Sequence, residues 1–448
     1  MEYSIKDFEW VTVSVDKMGR VFQDEEYFYR GIYNQKNQLR RIDRLFKNPG
    51  GVINELVKKE IILPIEEADI TFIDSDEFGT ILRSRKIRNV IYPTEWSYSM
   101  LLQAANLMMD MEEILLKYGY TLSDYHPYNI LFEGTKAYHV DLGSIITADV
   151  NSEQLFIKAM VEKYYRPLHM WSKKKKSITE LYMFDAGISD KEWDEYLYGI
   201  VLGKWLYKRK IIIKGNKEES ISLLRERFNN LVDFEREMEA GHHIDWSGYQ
   251  DEFFEKDGRV KENKRFQVVA EFIKKYGIRT ITELAANQGA FSQMCVEKEI
   301  ISYSLAIDYD EWAIDKLYHR LLKRDKELPI SLGVVNIVWP KSRDHNDSRK
   351  RMHNEAVVAL ALTHHLILSQ GLTIEKTLDI IMSYAEKYVF VEFMPLGLYS
   401  RHISNGASRL PKEYTIENFR KIFEERCELK EEVKISINRV LFVGEIRR

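Results

Sequence analysis

Apolar and polar positions follow two regimes along this chain. From about residue 262 short apolar runs alternate with amphipathic stretches, an αβαβ pattern that predicts a mostly parallel sheet. Helix spacing falls at 265–276, 311–323, 373–387 and 415–427, and strand-like runs at 279–284, 302–308, 332–338, 355–362 and 388–393. Two further strands, Glu432–Ile437 and Arg439–Ile446, meet at the Asn438 region and predict an antiparallel hairpin at the C-terminal end.

Residues 1 to about 92 read instead as strands around one helix. Trp10–Val15 alternates, Val21–Tyr33 is aromatic strand material, and Ala68–Ile73 and Thr80–Ile87 flank a polar turn at Asp74–Gly79. Ile42–Glu60 is an amphipathic helix broken by Pro49-Gly-Gly51. From Glu95 the chain turns helical. Ser99–Tyr118 places Leu101, Leu102, Ala105, Met108, Met109, Met111, Ile114 and Leu115 on one wide face, where the methionines read as core filler. Residues 150–245 are charged and mostly helical, carry Trp171, Trp193 and Trp205, and end in a turn near Gly241–Gly248. The expected division is an α+β region over 1–150, a helical bridge over 151–248 and an α/β domain over 249–448.

Composition narrows this picture. The chain has 448 residues, 45% hydrophobic and 30% charged, as expected of a folded chain of two or three domains. A net charge of −4 and a longest basic run of only Lys173–Lys176 argue against a nucleic-acid partner. Two cysteines, Cys295 and Cys427, make neither a disulfide framework nor a four-ligand zinc site, and a cytoplasmic setting fits. No signal core opens the chain and no run reaches the length of a membrane span. The aromatic helices of 150–245 suit either a domain bridge or a homodimer contact, so the oligomeric state stays open.

The chemistry concentrates in Thr280-Ile-Thr-Glu-Leu-Ala-Ala-Asn-Gln-Gly-Ala-Phe-Ser292 and Leu305-Ala-Ile-Asp308. An apolar strand ends in Glu283, a short loop holds Ala285, Asn287 and Gly289, a helix opens at Phe291, and a second strand ends in Asp308. A dinucleotide requires a Gly-x-Gly-x-x-Gly turn against its pyrophosphate, and Gly289 is alone here. S-adenosylmethionine (SAM) has no phosphate. A first-strand carboxylate suits its cationic methionine end, and a second-strand carboxylate suits both ribose hydroxyls. The pattern therefore favours SAM, bound by Glu283, Ala285, Asn287, Gly289, Phe291 and Asp308. Asn336, near the third strand's end, suits either the adenine amine or a loop cap.

Ligands of open α/β sheets sit beyond the carboxyl ends of the strands. The fourth strand delivers His364 and His365 there, and a neutral imidazole accepts a hydroxyl proton near pH 7. Glu392, ending the fifth strand, either orients such a histidine, binds substrate, or pairs with a base of the terminal hairpin. That hairpin fits a class I methyltransferase, since a Rossmann dehydrogenase would continue its βαβ units to the end.

Val358-Ala-Leu-Ala-Leu-Thr-His-His-Leu366 followed by Val391-Glu-Phe-Met-Pro395 resembles a family of bacterial class I SAM-dependent methyltransferases, some associated with nodulation or cell-surface glycan clusters. The likeness extends to Tyr92-Pro-Thr-Glu-Trp-Ser-Tyr-Ser-Met100 and Ser123-Asp-Tyr-His-Pro-Tyr-Asn129, and so covers most of the chain from about residue 80. It implies a Rossmann-like methyltransferase sheet preceded by a kinase-like α+β region. The family usually carries Asp where this chain has Asn336.

In that N-terminal region Asp124 and Asn129 stand five apart, and Asp141-Leu-Gly143 follows twelve residues later. This is the spacing of a kinase catalytic loop and its metal-binding Asp. Asp124 would take a hydroxyl proton, while Asn129 and Asp141 would hold magnesium on ATP. Tyr92–Glu95 falls where a kinase hinge would. No Gly-x-Gly-x-x-Gly and no Val-Ala-x-Lys accompany the trio. Arg30, Arg83, Arg85 and Lys86 are candidate substitutes for the lysine, and Glu55 for its helix partner. Three functions follow: a SAM-dependent methyltransferase acting on an oxygen of a sugar, glycan or related small metabolite; a bifunctional enzyme that also phosphorylates its acceptor with Mg-ATP; and a degenerate scaffold.

Overall fold

A computed structural model describes residues 2–10, 18–47, 51–174, 187–190, 192–193, 217–231, 246, 248–340, 348–397 and 410–447. The chain divides into two compact units, one of residues 1–88 and 100–233, the other of 89–99 and 234–448.

The C-terminal unit is built on seven strands: β1 (Thr280–Leu284), β2 (Tyr303–Asp308), β3 (Ile330–Val334), β4 (Asn354–Ala359), β5 (Ala385–Phe393), β6 (Cys427–Ser436) and β7 (Arg439–Ile446). Their order is β3-β2-β1-β4-β5-β7-β6. The first five run parallel, β7 lies antiparallel to β5, and β6 antiparallel to β7. The connections reverse direction between β1 and β4, so the carboxyl ends of those strands border one crevice. Helices α1 (Lys264–Lys275), α2 (Ala290–Glu297), α3 (Glu311–Leu322), α4 (Ile374–Met382) and α5 (Ile416–Glu424) connect and flank the strands. β1 to β5 are apolar almost throughout because helices cover both faces.

Several element boundaries differ from the sequence reading: the hairpin's first strand begins at Cys427 and not at Glu432, the fourth strand ends at Ala359 and not at 362, and two others have a visible cause. The third strand ends at Val334 and not at 338, because Asn336 turns the chain by accepting from the N–H groups of Val338 and Trp339. The predicted helix over 373–387 stops at Met382, since Ala385 already pairs with Asn354 as the start of β5.

The N-terminal unit holds an antiparallel sheet in the order Glu9–Trp10, Gly19–Gln23, Tyr27–Tyr33, Phe78–Arg85, Glu66–Glu67. Phe22, Tyr29 and Phe72 form its aromatic core, with Phe8, Trp10 and Phe78 packed on them. Helices Lys36–Lys47 and Val52–Lys58 lie on either side of the predicted break. Helix Tyr98–Lys117 buries Met108, Met109 and Met111 completely, as filler methionines do. The Trp10–Val15 strand is described only at Trp10. Trp205, residues 175–176 of the basic run and most of the 241–248 turn lie outside the described residues.

The helical stretch expected as a separate bridge clusters with the N-terminal unit. Tyr164 Oη donates to the Tyr125 carbonyl, and Arg225 forks onto Asp110 and Glu113 of helix Tyr98–Lys117. Conversely, the hinge-like segment 89–99 belongs to the C-terminal unit. Asn89 Nδ2 donates to the carbonyls of Arg351 and His353, Arg351 pairs with Glu95 at 2.6 Å, and the Tyr98 N–H reaches Glu311 Oε1 at 2.8 Å. Trp96 is fully buried, with its Nε1–H on the Ile91 carbonyl.

Asp315 anchors this strap by accepting from Ser97 Oγ and the Ser99 N–H, while Ser99 Oγ meets His319 Nε2 at 2.9 Å. Burial outweighs these hydrogen bonds and lifts the Asp315 carboxyl to about 7. A carboxyl raised on folding binds a proton that the unfolded chain has released, so its contribution to stability falls as pH rises from about 4 to 7. Buried histidines with lowered values act in the opposite sense, so the informative quantity is a difference. The stability of wild type minus that of Asp315→Asn is expected to shrink by about 1.4 kcal/mol per pH unit between roughly pH 5 and 6.5. Denaturant unfolding at each pH checks this, and a pH-independent difference rejects it.

Candidate active site

The loop after β1 carries left-handed backbone at three alternate residues: Ala285 (φ 51°), Asn287 (φ 52°) and Gly289 (φ 66°). Glycine geometry is thus reached with one glycine. Asn tolerates this region, whereas Ala pays for it. Gly289 is required twice, by its φ and because an added Cβ would lie 2.8 Å from Leu317 Cδ2 of α3.

Asp308 fastens the loop. Its Oδ2 accepts from the Asn287 N–H at 2.7 Å and its Oδ1 from the Asp310 N–H at 2.9 Å. The carboxylate is nearly buried at the end of β2, and desolvation raises its pKa. Asp310 caps α3 through Oδ1, its Oδ2 is buried without a partner, and burial beside Asp308 lifts it to about 6.

The other predicted cofactor residues are placed differently. Glu283 is buried and accepts from the Ser292 N–H at 3.0 Å and from Ser292 Oγ. Burial pushes it up to about 7. Oε2 of its carboxylate therefore ties β1 to α2. Phe291 points into the core against Phe266, ring centroids 5.4 Å apart. Asn336 spends its Oδ1 on the turn, leaving the adenine amine without that acceptor.

Residues outside the motif complete the loop. Gln250 bridges both its ends, donating to the Ala286 carbonyl and accepting from the Ala290 N–H. Asn287 Nδ2 donates to the Trp246 carbonyl at 2.7 Å, while Asn287 Oδ1 is buried and unpartnered. No local pattern marks Gln250 or Trp246, since each reaches its partner across 36 to 41 residues.

At the end of β4 the chain turns through Ala361 (φ 56°), whose N–H donates to Glu392 Oε2. Glu392 is fully buried. Arg265 forks onto both its oxygens at 2.7 Å and Arg439 meets Oε2 at 2.8 Å. Of the roles open to it, Glu392 takes that of ion-pair anchor, with Arg439 of the terminal hairpin as one partner. A carboxylate already held by two guanidiniums is not a free base. Thr363 Oγ1 donates to the Glu392 carbonyl, and together these contacts position His364 and His365.

The two imidazoles lie 4.1 Å apart. His364 is buried, its Nδ1 has no partner, and burial with the nearby Arg439 and Arg265 drives it down to about 3. His365 is half-buried and lowered by burial alone. Its ring meets Trp246 edge to face at 5.1 Å.

In the N-terminal unit the predicted trio comes together. Asn129 Nδ2 donates to Asp124 Oδ2 at 3.2 Å, and Asp141 Oδ1 accepts from the Gly143 N–H and pairs with Arg30 at 3.3 Å. Beside them His139 is buried, with both ring nitrogens unpartnered and its pKa lowered to about 4 by burial. Among the described residues no group of three or more His, Cys, Asp or Glu is arranged to hold a metal ion, and no helix is long and apolar enough to cross a membrane.

No family model matches the chain. It is 24% identical over 410 residues to the nodulation protein NoeA of Rhizobium meliloti (strain 1021), covering 85% of this chain and 83% of that one. Among solved structures, the N-methyltransferase NodS of Bradyrhizobium japonicum WM9 with S-adenosyl-L-homocysteine aligns over 45% of this chain and 98% of its own, at 13% identity and a TM-score of 0.32. The methyltransferase domain of bacterial CtHen1-C aligns over 41% and 98%, at 16% identity and 0.31. The fold assignment rests on the strand order and not on these alignments. The order β3-β2-β1-β4-β5-β7-β6 with its antiparallel β7 and the glycine-like loop after β1 are the layout expected of a class I methyltransferase sheet, and the chain is similar to NoeA along most of its length.

Proposed function

We propose that the C-terminal unit transfers a methyl group from SAM to an oxygen of a sugar, glycan or related small metabolite. The observation that carries this reading is the half-buried His365 packed on Trp246, whose carbonyl holds Asn287 of the β1 loop. The residues present suit the cofactor. Asn287 Oδ1 is an orphaned buried acceptor, the kind of group an ammonium satisfies. Asp308 accepts from backbone N–H groups on both oxygens, and a carboxylate's roughly four acceptor sites leave room for ribose hydroxyls.

When bound, SAM supplies an electrophilic methyl carbon whose leaving group is a neutral thioether. The chain's part is to receive the acceptor's proton. His365 does this, because it is exposed enough to meet an acceptor and its pKa is lowered by burial alone. His364, held near 3, is too weak a base and backs the first ring. Phosphotransfer stays outside this reading, because Arg30 places its positive charge on Asp141 Oδ1, where a magnesium ion would have to bind.

Isothermal titration is expected to show S-adenosylhomocysteine binding, weakened about tenfold or more by Asp308→Ala, a loss on the order of 1.4 kcal/mol. Equal affinity in the variant removes Asp308 from the ribose site, and no binding by the wild type overturns the reading.

A further inference from the structure

Methyl transfer as derived above gives the ring of Trp246 no task. That ring is 45% exposed, as is the neighbouring Tyr249, and the two meet at 6.2 Å and 67°. Paired exposed aromatics of this size stand out on a folded surface, and those placed beside a reactive group mark a ligand contact. Trp246 is also held firmly. Asn287 binds its carbonyl and the His365 ring packs on its indole, so the platform spans the cofactor loop and the base.

Charge selects the ligand class. The aromatic faces alone would accept a cation. Asp251, the acid next to this segment, is already taken by Lys316 and Gln288 and so is not free to hold one. A carboxylate or phosphate is best held by a guanidinium fork, and among the described residues Arg265 and Arg439 are committed to Glu392. A neutral ligand remains, one with an apolar face to stack and hydroxyls at its edge. A sugar ring has both.

We infer that Trp246, backed by Tyr249, is the acceptor-stacking platform: it takes the C–H face of a neutral sugar ring and thereby sets a ring hydroxyl beside His365. The inference rests on the methyl-transfer reading for the role of His365.

The test is calorimetry on the full chain saturated with S-adenosylhomocysteine, using cellotetraose, maltotetraose and chitotetraose as probes and spermidine as the cationic control. At least one tetrasaccharide is expected to bind, about tenfold more weakly in Trp246→Ala and nearly as well in Trp246→Phe. S-adenosylhomocysteine is kept saturating for each protein, so that a change in its own affinity does not enter the saccharide comparison. Three results overturn the platform: equal saccharide affinity in Trp246→Ala, no tetrasaccharide bound by a wild type that binds S-adenosylhomocysteine, or Trp246-dependent binding of spermidine alone. Trp246-dependent saccharide binding by a chain with no affinity for S-adenosylhomocysteine would overturn the methyl-transfer reading and leave the platform standing.

Discussion

Replacing His365 by alanine is expected to lower the methyl-transfer rate by roughly 10²–10⁴-fold, the contribution of a positioned general base. Cofactor affinity should hold, because the loop that meets SAM is fastened by Asp308, Gln250 and the Trp246 carbonyl and not by the imidazole. His364→Ala should behave differently. That ring is buried with an unpartnered nitrogen, so its removal opens a cavity and costs mainly stability. The measurement is methyl incorporation from labelled SAM into the acceptor, with unfolding followed on the same samples. A larger rate loss in His364→Ala would exchange the two roles. The pH profile gives a second reading. Burial lowers the pKa of His365, so activity is retained as pH falls through the ordinary histidine range and is lost only below it.

Glu392→Gln is expected to destabilise the C-terminal unit by about 3–5 kcal/mol, the usual consequence of removing one member of a buried ion cluster. Arg265 and Arg439 keep their charges and lose the carboxylate between them. For a unit of this size the melting temperature should drop by roughly 10 °C. A Glu392 acting as catalytic base would show the reverse, with activity lost and stability kept. Calorimetric melting of the two proteins decides between these outcomes.

The strap and the loop make the same point about what a sequence carries. Apolar runs ending in Glu283, Asp308 and the His364–His365 pair are local patterns. The order of strands and helices in the C-terminal unit, the terminal hairpin and the residue types at the strand ends were therefore readable from the sequence, since side-chain periodicity and turn residues act over a few positions. The Asp124, Asn129 and Asp141 trio was readable from its spacing in the same way. The sequence shows Glu283 as an acid at a strand end but not Ser292 folding back onto it. Phe291 likewise follows the loop in sequence and faces Phe266 in space.

What tertiary structure alone decided is set by partners far apart in the chain. Arg265 reaches Glu392 across 127 residues, Ser97 reaches Asp315 across 218, and Asn287 reaches the Trp246 carbonyl across 41. Those contacts made Glu392 an ion-pair anchor, placed residues 89–99 in the C-terminal unit and set Trp246 against His365. Local sequence determines which strands and helices form and which residue types stand at their ends. Which of those residues stays free to do chemistry depends on which charges and hydrogen bonds the fold brings to meet it, because a buried polar group is almost always satisfied by whatever partner lies nearest in space.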